Sequence, residues 1–389
     1  MKVPLLDLKP QYLSLKKEID DAVQRVVDSQ YFILGSDVTK LEEEIAEYLK
    51  VKFALGVSSG TDALLLSLMA LGIQPGDEVI VPTYSFFATA GVVARLNAKP
   101  VFVDIDPVTF NISADLIEEK ISSRTKAIIP VHLYGQSAEM GKIVELASKY
   151  NLAVIEDAAQ AIGAQYKDGR CVGTIGDIGC FSFFPTKNLG GFGDGGLITT
   201  NNEKLYHIMK IMRNHGAEPK YYHKIVGGNF RLDTLQAAVL RVKLPHLNSW
   251  SEKRRQNAIK YNNYFIESGL SEKVGVLKFD SKNKVLLPKA VYSHLESILN
   301  YHIYNQYIIR VEKRDQLVEY LKKNDIGCEI YYPVPFHRQA CFSYLKNNDG
   351  EFPNANFAAE HSLALPIYPE LNDEQIKHVV YTIKKFYFE

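Results

Sequence analysis

Cysteine is scarce in this chain. Cys171, Cys180, Cys328 and Cys341 are the only four among 389 residues, and they are widely spaced with no Cys-x-x-Cys pair. That pattern argues against a zinc ribbon and a disulfide framework, and predicts reduced thiols in a cytoplasmic protein. An excess of one charge is also missing: 45 basic residues meet 45 acidic ones, with no block of either sign. Neither nucleic acid nor an anionic membrane therefore has an electrostatic footprint here, although an anionic substrate is not excluded. Long apolar runs are absent too. The richest stretch, residues 63–73, contains Ser67 and falls short of the ~20 residues a spanning helix needs. The opening residues 1–7 lack the apolar core of a signal peptide. No His-Glu-x-x-His pattern occurs, so no metal is expected.

What the sequence does have is length and alternation. At roughly 100–200 residues per domain, the chain is expected to form two or three domains. Between residues 53 and 201, near-continuous apolar runs (53–57, 78–81, 100–103, 127–131, 152–156) alternate with helical patterns, as in a sheet buried on both faces. Met140, Ile143, Ala147 and Tyr150 recur at helical spacing, which predicts a crossover helix over parallel strands. Residues 15–27 and 38–48 read as helices of an N-terminal arm, with Asp37 placed to cap the second. After Pro245 the pattern changes to a helix at 252–265, a strand at 305–311, a helix at 314–323 and a strand-like 329–332, with a surface loop at 280–284. The expected organisation is an arm and large α/β domain over 1–245, with mostly parallel strands, and a smaller α+β domain over 246–389.

One lysine stands out. Lys187 has Ser182 five residues before it and the glycine-rich run 190–196 after it, a setting for a lysine that holds a phosphorylated aldehyde cofactor, pyridoxal phosphate, as an imine and then moves protons. The bland alternative is a solvated lysine. Asp157 closes an apolar run and is the candidate partner of the cofactor's ring nitrogen. It could instead cap the segment 158–161, and Glu156 competes for the role; consecutive residues of a strand point to opposite faces, so only one of the two can face the site. Gly60 and Thr61 follow a strand and open an apolar helix, offering N–H groups to a phosphate; such a turn can also be purely architectural. Ser182 adds a hydroxyl. Phe86 lies in an aromatic stretch, 82–89, suited to stacking on a ring or to core packing. Gln160 is placed to bond the cofactor's 3′-oxygen or to sit on the surface. The glycines at 227 and 228 permit a sharp turn that brings Asn229 and Arg231 to an active site, its own or a neighbour's. The polar stretch 215–223 reads as a loop rather than a ligand set.

With these residues in place, the chain resembles the nucleotide-sugar aminotransferases of the DegT type, fold-type I pyridoxal-phosphate enzymes. The resemblance runs nearly end to end and is carried most specifically by residues 59–64, 156–160, 182–187 and 229–233. It implies that Lys187 carries the cofactor, Asp157 meets its ring nitrogen, Gln160 its 3′-oxygen and Phe86 its face, while Gly60, Thr61 and Ser182 hold its phosphate. It also implies a homodimer with active sites at the interface, in which Asn229 reaches the partner's cofactor. Relatives with histidine at the lysine position are sugar dehydratases, so Lys187 favours transamination. Where the family often has Gly-Glu-Gly-Gly, this chain has Gly193-Asp194-Gly195-Gly196.

Segments 215–223 and 331–337 resemble the branch that aminates C3 of a thymidine-diphosphate-linked 3-keto-6-deoxyhexose. The expected reaction takes the amino group from L-glutamate and yields 2-oxoglutarate, with Arg231 and Tyr331 as substrate-binding candidates. The alternatives are C4 amination, a uridine-diphosphate-linked 3-keto sugar and, from another class, a cofactor-binding regulatory or accessory protein without turnover.

Overall fold

Runs of β-branched and apolar residues become short strands buried on both faces. The computed structural model describes residues 1–388 and contains ten strands among them. They are β1 Phe53–Val57, β2 Glu78–Pro82, β3 Lys99–Val103, β4 Thr125–Ile128, β5 Ala153–Asp157, β6 Ile178–Ser182, β7 Gly196–Thr200, β8 Val285–Leu286, β9 Tyr307–Val311 and β10 Ser362–Leu365. The first seven form one sheet in the order β1-β7-β6-β5-β4-β2-β3. All neighbours in it are parallel except β7, which runs antiparallel to both β1 and β6.

That topology decides where chemistry can occur. The C-terminal ends of β1, β2, β5 and β6 and the N-terminal end of β7 lie along one edge, which is the edge where open α/β sheets bind ligands. The helix Gly60–Ala70 leaves this edge with Ala63 to Leu68 all buried, so it is apolar nearly all round because it is covered nearly all round. Met140, Ile143 and Ala147 are buried on the helix Met140–Tyr150, as the spacing predicts. Tyr150, expected in the same stripe, is exposed and donates its hydroxyl to Glu118 at 2.6 Å.

Strands β10, β9 and β8 form a separate antiparallel sheet. The helices Leu247–Glu267 and Asp373–Phe388 pack on it through Tyr261, Phe265, Val379 and Ile383. The helix expected at 252–265 is thus longer, and the strand-like reading of 329–332 is overturned. Glu329 makes only an isolated bridge with Ala364, on the open edge of β10. Asp37 also departs from expectation. Gly35 occupies the N-cap of the helix Ser36–Leu49, and Asp37, buried in its first turn, pairs with Arg241 at 2.5 Å. No described helix is long and apolar enough to cross a membrane, and the four cysteines are unpaired.

Candidate active site

The edge holds a cradle that only glycine permits. A Cβ on Gly196 would lie 2.4 Å from the Ser59 carbonyl carbon and oxygen, and one on Gly60 would lie 2.8 Å from the Ser182 Cβ. Strands β6 and β7 can therefore press against the start of the helix Gly60–Ala70. Ser59 caps that helix by accepting the Asp62 N–H at 3.0 Å. The first N–H groups of a helix have no intrahelical acceptor, so those of Gly60 and Thr61 face outward beside Ser182. The Ser182 Oγ accepts the Phe184 N–H at 3.3 Å, and its own hydrogen remains available to an anion. A helix start with free N–H groups and a hydroxyl beside it has the chemistry to hold a phosphate.

Lys187 stands on a tight turn next to it. The Lys187 N–H donates to the Phe184 carbonyl at 2.9 Å and the Gly191 N–H to the Phe183 carbonyl at 2.8 Å. Asn188, fully inside, donates to the Ile303 carbonyl at 3.0 Å and accepts from the Asn305 amide at 2.9 Å. The Lys187 side chain keeps part of its surface open, but protein encloses its amino group. That burial, opposed by the negative charge of Asp157, brings it down to about 8.

The two adjacent carboxylates separate as strand alternation requires. Glu156 points away from the edge into the protein and accepts from the N–H groups of Gly173, Ile175 and Gly176 at 2.6–2.7 Å. It also accepts from His132 Nε2 at 2.9 Å; the Ala138 N–H donates to His132 Nδ1, so the ring proton sits on Nε2. Asp157 is the carboxylate on the other face. Its oxygens accept from Thr89 Oγ1 at 2.8 Å and from the Ala159 N–H at 3.2 Å. Burial pushes the Asp157 carboxyl up, while Thr89, the Ala159 N–H and Lys187 pull it back.

Gln160 is buried rather than on the surface. Its Oε1 accepts the Tyr134 N–H at 2.7 Å and its Nε2 donates to the Tyr332 hydroxyl at 3.0 Å. Phe86 is 56% exposed, and its ring lies 6.2 Å from that of Tyr332 in a tilted arrangement. Arg231 pairs through its backbone with Val57 and donates Nη1 to Asn214 Oδ1 at 2.7 Å. Asn229 is exposed on the same segment, whose tip carries the exposed Tyr221, Tyr222 and Val226. Tyr331 lines a small separate hollow with Thr186, Gln306 and Arg254.

Two residues escape a sequence reading. Tyr332 faces Gln160 because Tyr84 grips the backbone beside it, donating to the Tyr331 carbonyl and accepting the Tyr332 N–H, each at 2.7 Å. A Tyr-Tyr pair gives no sign of which ring turns inward. Thr89 is an ordinary helix-opening hydroxyl until the sheet brings the ends of β2 and β5, with β4 between them, to the same edge.

A cradle for phosphate, a buried carboxylate for a ring nitrogen and an amine of lowered basicity between them fit pyridoxal phosphate. Together with the seven-stranded mixed sheet, they define a fold-type I aminotransferase that uses this cofactor. More narrowly, the chain belongs to the DegT/DnrJ/EryC1/StrS aminotransferase family, whose model matches residues 13–384. It is 49% identical to the pleiotropic regulatory protein of Geobacillus stearothermophilus, across 100% of this chain and 99% of that one. It is 42% identical to the UDP-N-acetyl-3-dehydro-α-D-glucosamine 3-aminotransferase of Acidithiobacillus ferrooxidans, across 98% and 97%. It is 39% identical to the dTDP-3-amino-3,6-dideoxy-α-D-galactopyranose transaminase of Aneurinibacillus thermoaerophilus, across 99% of each. Among solved structures it is similar to S. venezuelae DesV in complex with a ketimine intermediate, with a TM-score of 0.90 and 36% identity over 100% of this chain and 99% of that one. The protein is a sugar-nucleotide aminotransferase.

Proposed function

We propose that this enzyme aminates C3 of a nucleotide-linked 3-keto sugar, with L-glutamate as donor and 2-oxoglutarate as the product of the first half. The observation that carries the reading is Lys187, of lowered basicity and electrostatically coupled to Asp157, beside a helix-start phosphate cradle. Gly60, Thr61 and Ser182 would hold the cofactor phosphate, Asp157 the ring nitrogen, Gln160 the 3′-oxygen, and Phe86 one ring face. Bound there, pyridoxal phosphate supplies an aldehyde for the amino group and a ring that takes up electrons released at the donor's α-carbon. Lys187 would take the proton from that carbon as a free amine and give it to the cofactor's C4′, and would do the reverse with the sugar. Asp157 stays ionised so that the ring nitrogen keeps its proton.

The expected sugar carrier is thymidine diphosphate, on the likeness of segments 215–223 and 331–337 and in line with the Aneurinibacillus relative. The Acidithiobacillus relative favours a second reading, uridine diphosphate on the same C3 chemistry. Arg231 and Tyr331 remain the substrate-contact candidates; Arg231 would act through the Nη atoms that Asn214 leaves free. Asn229, exposed on its loop, would reach a partner's cofactor phosphate in a cytoplasmic homodimer.

The test is the near-visible spectrum of the purified protein with pyridoxal phosphate, before and after L-glutamate, followed by 3-keto and 4-keto sugars on each nucleotide. Conversion of the lysine-linked band and turnover with a 3-keto sugar support the proposal. Turnover only with a 4-keto sugar overturns the C3 assignment. One equivalent of 2-oxoglutarate with no acceptor among these sugars would overturn the proposed acceptor.

A further inference from the structure

A second lysine is buried beside the first. Lys243, on the helix Thr234–Lys243, is 5% exposed, and its Nζ donates to the Gly190 carbonyl at 2.7 Å. The same Nζ lies 4.8 Å from the centre of the Phe192 ring. No carboxylate among the described residues pairs with it, and burial alone lowers it to about 8. A buried ammonium without a counterion costs stability, so its retention calls for a return elsewhere.

Gly190 is where that return is found. It closes the turn that carries Lys187: a Cβ there would lie 2.3 Å from the Pro185 carbonyl oxygen, so the chain doubles back on itself between Pro185 and Gly190. Gln236, on the same helix as Lys243, accepts the Phe192 N–H at 2.7 Å. The turn is thus held from one side by Lys243 and Gln236 and from the other by Asn188 with Ile303 and Asn305. The Lys243 contact is the charged one, and a hydrogen bond from a charged donor is about twice as strong as a neutral one.

We infer that Lys243 is a positioning residue for Lys187: its ammonium fixes the Gly190 carbonyl and thereby the turn from which Lys187 reaches the cofactor. The inference rests on Lys187 being the cofactor-bearing lysine. A fixed amine has a high effective concentration at the cofactor's aldehyde, and a loose one opens more often. Removing the ammonium should therefore weaken the lysine–cofactor bond while relieving the fold of a buried charge.

The experiment compares wild type, Lys243→Met and Lys243→Gln as full-length protein. Cofactor release during exchange is measured from the lysine-linked absorption band, and apo-protein melting is measured in parallel. Lys243→Met should release the cofactor about tenfold faster, the loss of one charge-assisted hydrogen bond, with an apo melting temperature equal to or above that of wild type. Lys243→Gln, which keeps an N–H donor, should recover part of the difference. Wild-type release rates in both variants, or a lower melting temperature with no change in release, would overturn the inference. Borohydride reduction of wild type and identification of the labelled lysine tests the Lys187 reading separately: label on another residue sinks that reading whatever the Lys243 variants do.

Discussion

The Thr89 hydroxyl donates to Asp157 Oδ2 at 2.8 Å, and the Ser85 hydroxyl lies 3.1 Å behind it, so Ser85, Thr89 and Asp157 form a buried chain of donors ending on the carboxylate. Burial pushes Asp157 toward its neutral form and Thr89 opposes that. Thr89→Val keeps the shape and removes the donor. A hydrogen bond to a charged group contributes about 1.5–3 kcal/mol, so kcat/KM should fall roughly ten- to a hundred-fold, with Thr89→Ser near wild type. Steady-state kinetics with glutamate decide it, and an active Thr89→Val would remove Thr89 from the mechanism.

Asp157 itself should oppose folding of the apo-protein at neutral pH. A carboxyl whose folded value is raised favours the folded state at low pH and loses that contribution as pH rises through the raised value. Asp157→Asn should therefore melt no lower than wild type at pH 7, gain less at pH 4, and be inactive. Apo-protein melting across pH checks the first two expectations and a glutamate half-reaction the third.

Lys187 is depressed to about 8 from an ordinary 10.5. Its amine is then half free near pH 8, so the rate of cofactor capture by apo-protein should rise with pH and reach half its maximum near 8. A midpoint near 10 would mean that the lysine is solvated. The stability sign follows: a lysine with a lowered folded value destabilises the fold below that value, and the cost fades between about 8 and 10.5.

Glu156 is an anchor rather than a participant. With four donors on its two oxygens, Glu156→Gln would set an amide N–H against at least one backbone N–H. The expected loss is about 3 kcal/mol in denaturant unfolding, with activity per folded molecule retained at low temperature. Loss of activity without loss of stability would contradict the assignment of the two carboxylates.

Tyr332 should matter more than its neighbour. Tyr332→Phe strands the Gln160 amide nitrogen, a buried donor, at a cost of about 1–3 kcal/mol, and should reduce cofactor affinity at least fivefold. Tyr331→Phe leaves Gln160 untouched and should keep that affinity. Fluorescence titration of apo-protein with cofactor distinguishes the two.

The sequence by itself determined what depends on local rules. Apolar runs of four or five residues marked β1 to β5, because a strand covered on both faces has no polar side to show, whereas β6 and β7 were not marked. The serine and glycines around Lys187, and the small residues that open the helix at Gly60, announced a backbone that must approach an anion closely. Alternation along β5 required Glu156 and Asp157 to face opposite ways, but not which would face the site. That choice was tertiary: the loop 173–176 and His132 fold over one side of β5 and supply Glu156 with donors, leaving Asp157 to the edge. The same holds for Asp37, which a helix-start pattern makes a cap and which Arg241, some two hundred residues away, claims instead. Strand β10 and the inward turn of Tyr332 rather than Tyr331 were likewise invisible, since each depends on partners distant in the chain. Local patterns specify backbone conformation and the residue types a site needs; which side chain reaches which depends on contacts that exist only once the sheet is assembled.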